Sequence, residues 1–144
     1  MNGEEKRKHQ VLFLCTGNSA RSQMAEGALR HFAGDRFDVA SAGTHPVGLN
    51  PYAVEAMREI GIDISNHVSE RVDQYLDQRF DYVITVCNQA QEACPIFPGA
   101  SSMLHWSFED PARAEGTYEQ RLIVFRKIRN EIAGRVRRFI RDGA

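Results

Sequence analysis

The sequence predicts an α/β fold built on a parallel sheet. Two apolar runs, VLFLC at 11–15 and FDYVITVC at 80–87, are typical of strands buried on both faces. Strand-like segments also alternate with amphipathic helical segments along the chain. The 144 residues, 42% of them hydrophobic, suit one domain with its own core. We therefore expect a three-layer sandwich: a four-stranded parallel sheet with helices on both faces, in a single domain over 11–144 after a polar tail at 1–10.

The individual elements follow from hydrophobic periodicity and from the turn residues between them. Four strands are predicted, at 11–15, 37–43, 80–87 and 103–108. Helices are predicted at 21–34, from Asn50 to Gly61, at 69–78 and from Thr117 onward. Thr117 and Gln120 form a capping box, which opens a long helix with one apolar face.

Composition and charge narrow the class of protein. The longest apolar run has five residues, whereas a membrane helix needs ~18 to 20, and the first ten residues lack the apolar core of a signal peptide. We therefore expect a cytoplasmic protein without a membrane partner. Residues 126–142 carry seven basic and two acidic side chains, which we interpret as the solvated face of a packed helix and not as a nucleic-acid site. Three cysteines in a reducing compartment do not make a structural disulfide framework.

Cys15 and Arg21 enclose a short loop between the first predicted strand and the first predicted helix. Small, turn-forming residues let successive backbone N–H groups point inward as an anion nest, and the helix start adds its own N–H groups. Arginine adds a bidentate donor that matches a tetrahedral oxyanion. We expect an oxyanion to be bound by Arg21 and by the rest of this loop, namely Thr16, Gly17, Asn18, Ser19, Ala20 and Ser22.

The sulfur of Cys15 lies at the centre of this predicted anion site. Cysteines at helix N-termini beside cations have their pKa lowered from ~8.5 to roughly 3.5–7.5. We therefore expect a thiolate nucleophile. The simpler alternative is a buried cysteine at the end of a strand, the commonest environment of this residue. The loop and the arginine favour the nucleophile.

Two further candidates follow the later strands. The carboxyl ends of parallel strands share one edge of a sheet, so Cys15, Cys87 and Asp110 are expected to converge there. Pro111 holds Asp110 in extended geometry, where its carboxyl could protonate a leaving oxygen or deprotonate a water. The alternative for Asp110 is a structural role in a turn.

Cys87 and Cys94 are seven residues apart. In a helix this spacing corresponds to ~10.5 Å, beyond the ~7 Å Cα separation that a disulfide allows. Pairing would require the segment to unwind, which makes the pair a candidate redox switch. Two unrelated thiols are the alternative. A zinc site that includes His105 is disfavoured, because no short-spaced ligand pair is present.

Several segments occur here in the order found in one known family. They are CTGNSARSQMAEG, SAGTHP, ISNH, DYVITVC, CP and HWSFEDP. From about residue 11 to 140 the chain thus resembles the thioredoxin-coupled arsenate reductases, which share the low-molecular-weight tyrosine phosphatase fold. Both groups have the cysteine–arginine loop and a late Asp–Pro. Cys87, Cys94 and Gln23, where the phosphatases usually carry proline, point to the reductases.

The resemblance implies a strand order of 2-1-3-4 and a three-cysteine mechanism. Cys15 attacks arsenate held by the loop and Arg21, while Asp110 protonates the departing hydroxide. Cys87 attacks Cys15, which releases arsenite and leaves a disulfide. Cys94 then moves the disulfide to Cys87–Cys94, which thioredoxin reduces. Phosphate and sulfate are expected to compete with arsenate.

The resemblance also implies a structural potassium ion in some relatives. The matching positions here are Asn18, Glu26, Ser41 and Glu70, the last commonly aspartate in those relatives. No tightly bound cofactor is expected otherwise. Two rival functions stay open. The first is a tyrosine phosphatase that works through a phosphocysteine, and the second is a thiol redox sensor or oxyanion-binding regulator without turnover. Weak phosphatase activity is also conceivable in a reductase.

Overall fold

The computed structural model describes residues 7–86 and 97–143. Four parallel strands form one sheet in the order β2-β1-β3-β4, with β1 at His9–Cys15, β2 at Phe37–Gly43, β3 at Phe80–Thr85 and β4 at Ala100–His105. Within these two ranges, three α-helices accompany the sheet: α1 (Arg21–Ala33), α2 (Pro51–Glu59) and α3 (Tyr118–Asp142). The predicted fold class and the strand order are confirmed. No helix in the described ranges is long and apolar enough to cross a membrane.

The helix starts show why the sequence folds this way. The Asn50 side chain accepts hydrogen bonds from the first backbone N–H groups of α2, and Pro51 occupies the first turn. At α3 the capping box of Thr117 and Gln120 is present with both of its hydrogen bonds. Helix α1 begins differently, after Ala20, and has no side-chain cap.

The central strand β1 separates two core clusters. Val11 and Phe13 point to the cluster that contains the buried faces of all three α-helices. Leu12 and Leu14 point the other way, where Val72 covers them. Val72 belongs to a short 3-10 helix, Val72–Tyr75. In the described part of the chain, the second face of the sheet is thus covered by this short helix and not by an α-helix.

Two predicted elements differ from the structure. The helix predicted at 69–78 is only the 3-10 helix, because the residues before it are extended: Gly43 N–H donates to the Glu70 carbonyl, and Arg71 bridges to Gly43 as a further parallel partner. The strand predicted at 103–108 lies at Ala100–His105. It is an edge strand, and its serines face solvent. The strand therefore begins in a polar stretch, and the apolar residues used for the prediction do not show where it starts.

Element boundaries differ at two further places. Strand β1 begins at His9, two residues inside the predicted tail. Strand β3 ends at Thr85, before the predicted end at Cys87, which lies outside the described residues. Cys94 lies outside them as well.

The strand register brings the candidate residues to one edge. Cys15 pairs with Gly43 across β1 and β2, and Thr85 pairs with His105 across β3 and β4. Gly43 allows the loop after β1 to approach β2, because a Cβ at this position would lie 2.5 Å from the carbonyl oxygen of Thr16. The carboxyl edge of the sheet therefore carries the Cys15 loop.

Candidate active site

A pocket of about 270 Å³ opens at this edge. Cys15, only 2% exposed, lies at its buried end. The remaining lining comes from the loop after β1 and from two later segments: Thr16, Gly17, Ser19, Ala20, Arg21, Val47, Asp110 and Ala112. The pocket thus joins the predicted nucleophile, the predicted arginine and the predicted acid, although Asp110 is five residues beyond the end of β4.

Two hydrogen-bond donors point at the Cys15 sulfur from within the protein. The backbone N–H of Asn18 donates to Sγ at 3.1 Å, and Ser22 Oγ lies 2.9 Å from Sγ. Ser22 Oγ also accepts a hydrogen bond from Asn18 Nδ2 at 2.8 Å, and its own hydrogen remains available to donate to an ionised Cys15 sulfur, which can only accept. Both donors stabilise negative charge on sulfur, which favours the thiolate.

Asn18 uses its whole side chain to fix the loop. Nδ2 donates to Ser22 Oγ and, at 2.9 Å, to Ser41 Oγ on β2. Oδ1 accepts from the backbone N–H of Glu70 at 2.8 Å and from Gln23 Nε2 at 3.1 Å. Asn18 is fully buried and has a φ of 46°, a left-handed conformation that asparagine tolerates better than most residues. These contacts hold the Asn18 N–H on the sulfur.

A second layer of side chains supports Asn18. Gln23 Nε2 also donates to the carbonyl oxygens of Asn18 and Val68, and Ser69 Oγ donates to the Asn18 carbonyl at 2.6 Å. His67 Nδ1 lies 2.9 Å from Gln23 Oε1. The loop is therefore held by helix α1 on one side and by residues 67–70 on the other.

Arg21 and Asp110 face each other at the pocket. Arg21 is 8% exposed, and its Nη1 donates to the Phe108 carbonyl at 3.2 Å. Its Nη2 lies 3.6 Å from Asp110 Oδ2. The other carboxylate oxygen of Asp110 accepts from the Ala112 N–H, which starts the 3-10 helix Pro111–Arg113. Asp110 is extended, as the following proline predicts, and its carboxyl reaches the space in which a bound oxyanion would lie.

The seven residues predicted to bind the oxyanion divide into two groups. Five line the pocket, namely Thr16, Gly17, Ser19, Ala20 and Arg21. Asn18 and Ser22 are fully buried behind the sulfur, where they hydrogen-bond to it. They hydrogen-bond to the Cys15 sulfur and to neighbouring residues of the interior, and neither of them lines the pocket.

Sequence reasoning missed several residues of the site. It assigned no role to Ser69, which begins the predicted helix at 69–78, or to His67, which precedes that helix. It noted Gln23 only as a difference from the phosphatases. Val47 was also missed, since nothing in the local pattern shows that its N–H donates to the Gly17 carbonyl at 3.0 Å. The placement of a buried glutamine and a half-buried histidine beside the loop depends on the packing of α1 against residues 67–70, which the local sequence does not show.

The family model for low molecular weight phosphotyrosine protein phosphatase matches residues 10–142, almost the whole chain. The chain belongs to this family. Its membership accounts for the shared cysteine–arginine loop and the late Asp–Pro, which the structure places in one pocket.

Within this phosphatase family, the chain is extensively similar in sequence to arsenate reductases, while a tyrosine phosphatase of Erwinia amylovora at 21% identity shares the fold. The chain is 51% identical to the arsenate reductase of Halalkalibacterium halodurans over 136 residues, 94% of this chain and 98% of that protein. An arsenate reductase solved in a phosphate-binding state superposes with a TM-score of 0.79 at 33% identity, over 92% of this chain and 96% of the other. A thioredoxin-dependent arsenate reductase of Corynebacterium glutamicum superposes with a TM-score of 0.69 at 32% identity, over 96% of this chain and 65% of the other. The chain therefore lies in the arsenate reductase branch of the family.

The four positions expected to hold potassium come together, and their side chains hydrogen-bond to one another and to neighbouring protein groups. Asn18 Oδ1 accepts two N–H groups, and Ser41 Oγ accepts from Asn18 and donates to Glu26 Oε1 at 2.6 Å. Glu26 Oε2 accepts from Arg30 Nη2 at 2.6 Å, and Glu70 Oε1 accepts from the Tyr75 hydroxyl at 2.5 Å. These oxygens are thus engaged by protein donors, one of them a guanidinium. In residues 7–86 and 97–143, no group of three or more His, Cys, Asp or Glu side chains is placed to hold a metal ion.

Proposed function

We propose that this protein reduces arsenate to arsenite, with Cys15 as the nucleophile. The observation that carries the proposal is the Cys15 sulfur at the buried end of a small pocket, bonded by the Asn18 N–H and the Ser22 hydroxyl and facing Arg21 and Asp110. The arsenate reductases at up to 51% identity support arsenate as the substrate. Arsenate and phosphate have the same shape and charge, so phosphate is expected to compete, as the phosphate-bound relative also suggests.

The first chemical step follows from the geometry. The Cys15 thiolate attacks arsenic while the loop and Arg21 bind the arsenate oxygens. A sulfur–arsenic bond forms, and one arsenic–oxygen bond breaks. Asp110, beside Arg21, gives its proton to the departing hydroxide, which leaves as water. The product is a cysteine–arsenate adduct that still contains As(V).

The reduction requires a second thiol. In the proposed relay, the Cys87 thiolate attacks Cys15 Sγ, the sulfur–arsenic bond breaks, and its electron pair converts As(V) to As(III). Cys94 then attacks Cys87, which frees Cys15 and leaves a Cys87–Cys94 disulfide. A thioredoxin dithiol reduces that disulfide. The family resemblance and the thioredoxin-dependent relative support this relay.

The pocket lining also bears on the phosphatase alternative. The described residues around the pocket include no aromatic side chain that could stack on a phosphotyrosine ring. A small inorganic anion therefore suits the pocket better than an aryl ester. Slow hydrolysis of an aryl phosphate is still expected, since Cys15, Arg21 and Asp110 serve both reactions.

The proposal is tested by arsenate-dependent oxidation of thioredoxin, measured through NADPH with thioredoxin reductase. We expect Cys15→Ser to abolish turnover of arsenate and of an aryl phosphate. We expect Cys87→Ser and Cys94→Ser to stop multiple turnovers of arsenate yet to keep the slow aryl phosphate hydrolysis, which serves as the control for folding.

Parent-level arsenate reduction by both relay variants would show that the relay assignment is wrong. Aryl phosphate hydrolysis without reductant, together with no arsenate-dependent thioredoxin oxidation, would favour the phosphatase. Oxyanion binding without turnover of either substrate would favour a regulator.

A further inference from the structure

Arg30 is held by three separate elements at the far end of α1. Its Nη2 donates to Glu26 Oε2 and to the Val39 carbonyl of β2, both at 2.6 Å. Its Nη1 lies 3.2 Å from His67 Nε2. Because Arg30 can only donate, His67 Nε2 accepts, and its Nδ1–H donates to Gln23 Oε1 at 2.9 Å. The guanidinium therefore has a defined position, although half of its surface is exposed.

Glu26 connects this guanidinium to the reacting sulfur. The Ser41 hydroxyl donates to Glu26 Oε1, which leaves Ser41 Oγ as the acceptor for Asn18 Nδ2. The same Asn18 presents its backbone N–H to Cys15 Sγ. The direction of each bond in this chain depends on the position of the Glu26 carboxylate, because a displaced carboxylate would no longer accept from the Ser41 hydroxyl.

The Glu26 carboxylate needs a cation to stay in that place. Its side chain is 13% exposed, and an unpaired buried carboxylate is strongly disfavoured. In some relatives a potassium ion is expected at the matching positions. Here both Glu26 oxygens accept from protein donors: Ser41 Oγ donates to Oε1, and Arg30 donates to Oε2.

We infer that Arg30 is a positioning residue that replaces a metal cation behind the Cys15 loop. Its fixed charge on Glu26 orients Ser41 and Asn18 and so keeps the Asn18 N–H on the sulfur. The loop is therefore independent of potassium. The hydrogen bonds described here concern the reactivity of the Cys15 sulfur, which can be measured without arsenate. Only the measurement of arsenate turnover rests on the proposed function.

The test measures alkylation of Cys15 by iodoacetamide at pH 7 in a Cys87→Ser, Cys94→Ser background, where Cys15 is the sole cysteine. Thermal unfolding is followed in parallel. Both are measured in potassium chloride and in choline chloride at equal ionic strength. Arsenate turnover is then measured in the same two salts in the protein with all three cysteines.

Arg30→Met removes the charge, and Arg58→Met is the matched control. Arg58 is also a helix-surface arginine paired with a glutamate of its own helix, Glu55, but it has no connection to the loop. We expect Arg30→Met to slow alkylation about three- to tenfold, a coupling typical of residues in one hydrogen-bond network. Arg58→Met is expected to leave the rate unchanged, and Arg30→Lys to restore most of it.

The parent is expected to show the same melting temperature and the same alkylation rate in both salts. A parent that responds to potassium in either measurement would overturn the inference, as would Arg30→Met alkylating at the parent rate. Should Arg30→Met fail to fold, Arg30→Gln carries the same comparison, since its amide can still donate without a charge. The alkylation assay contains no arsenate, so absent arsenate turnover would count against the proposed function alone.

Discussion

Two polar clusters in this protein follow the same physical rule with different consequences; the first is largely buried, and in the second the buried member is Arg129. The loop cluster consists of Asn18, Ser22, Gln23, Glu26 and Ser41, and its hydrogen bonds lead to the Cys15 sulfur. The helix-pair cluster lies between α2 and α3 and consists of Glu59, Arg126 and Arg129. In both clusters the buried polar groups are hydrogen-bonded, as burial demands.

The difference lies in where the hydrogen bonds end. In the helix-pair cluster, Arg129 donates to Glu59 and to the Ala56 carbonyl, so the bonds hold α2 against α3. In the loop cluster, the last donors point at an atom that reacts. A substitution at the pocket should therefore change rates more than stability, and a substitution in the helix-pair cluster should do the reverse.

The largest expected effect is on the rate, at Asp110. Asp110→Asn removes the proton donor but keeps a side-chain oxygen for the Ala112 N–H. Arsenate reduction is expected to fall by roughly 10²–10⁴-fold, the usual contribution of a general acid, with an unchanged melting temperature. The neighbouring Glu109→Gln is the control and should stay near the parent rate. A parent-like rate for Asp110→Asn would remove it from the mechanism.

The next effect concerns stability, at Glu59. Hydrogen bonds from Arg126 lower the pKa of Glu59, burial opposes them, and Arg129 adds to the lowering. Glu59→Gln leaves the buried Arg129 guanidinium without its carboxylate, which should lower the free energy of unfolding by about 1–3 kcal/mol in urea titrations.

The pH dependence of this effect has a definite sign. A depressed carboxyl pKa stabilises the fold above the ordinary value of 4.5, and this contribution is lost as the pH falls through the lower folded value. The difference between parent and Glu59→Gln should therefore be full at pH 7 and shrink in acid. Glu55→Gln, at an exposed ion pair, should change stability far less. An equal loss for both variants would contradict the proposed role of the helix-pair cluster.

The smallest expected effect is a pH dependence at His67. Burial lowers its pKa, Arg30 acts in the same direction, and Glu26 and Asp63 oppose the shift. Because the folded state prefers neutral His67, this contribution to stability is present above the ordinary pKa of 6.5 and is lost as the pH falls below it. Between pH 7.5 and 5.5 the parent should lose more stability than His67→Gln in denaturant titrations. A parallel decline in the two proteins would show that His67 does not titrate in this way.

Local patterns predicted most of the fold. Strand β2 lies at the predicted Phe37–Gly43, and the capping box at Thr117 starts α3 as expected. The two exceptions, the segment 69–78 and strand β4, are determined by contacts with distant residues. The Glu70 backbone N–H donates to the Asn18 side chain instead of to a helical carbonyl. The position of β4 is set by its pairing with β3 and not by its own hydropathy. Neither cause is visible in the periodicity of the segment itself.

The pocket was also largely predictable, because Cys15 and Arg21 belong to one loop and Asp110 precedes a proline. The supporting residues were not. Gln23, Ser69 and His67 act through contacts between segments that are about 45 residues apart, and nothing in their local sequence shows these contacts. The relay cysteines, Cys87 and Cys94, lie outside the described residues and stay a prediction.

The central claim is that the Cys15 sulfur is ionised at neutral pH. The most direct test is the rate of iodoacetamide alkylation against pH in the Cys87→Ser, Cys94→Ser protein. The account predicts a titration midpoint within roughly 3.5–7.5, well below the ~8.5 of a free cysteine, and protection by arsenate or phosphate. A midpoint near ~8.5, unaffected by either anion, would contradict the account.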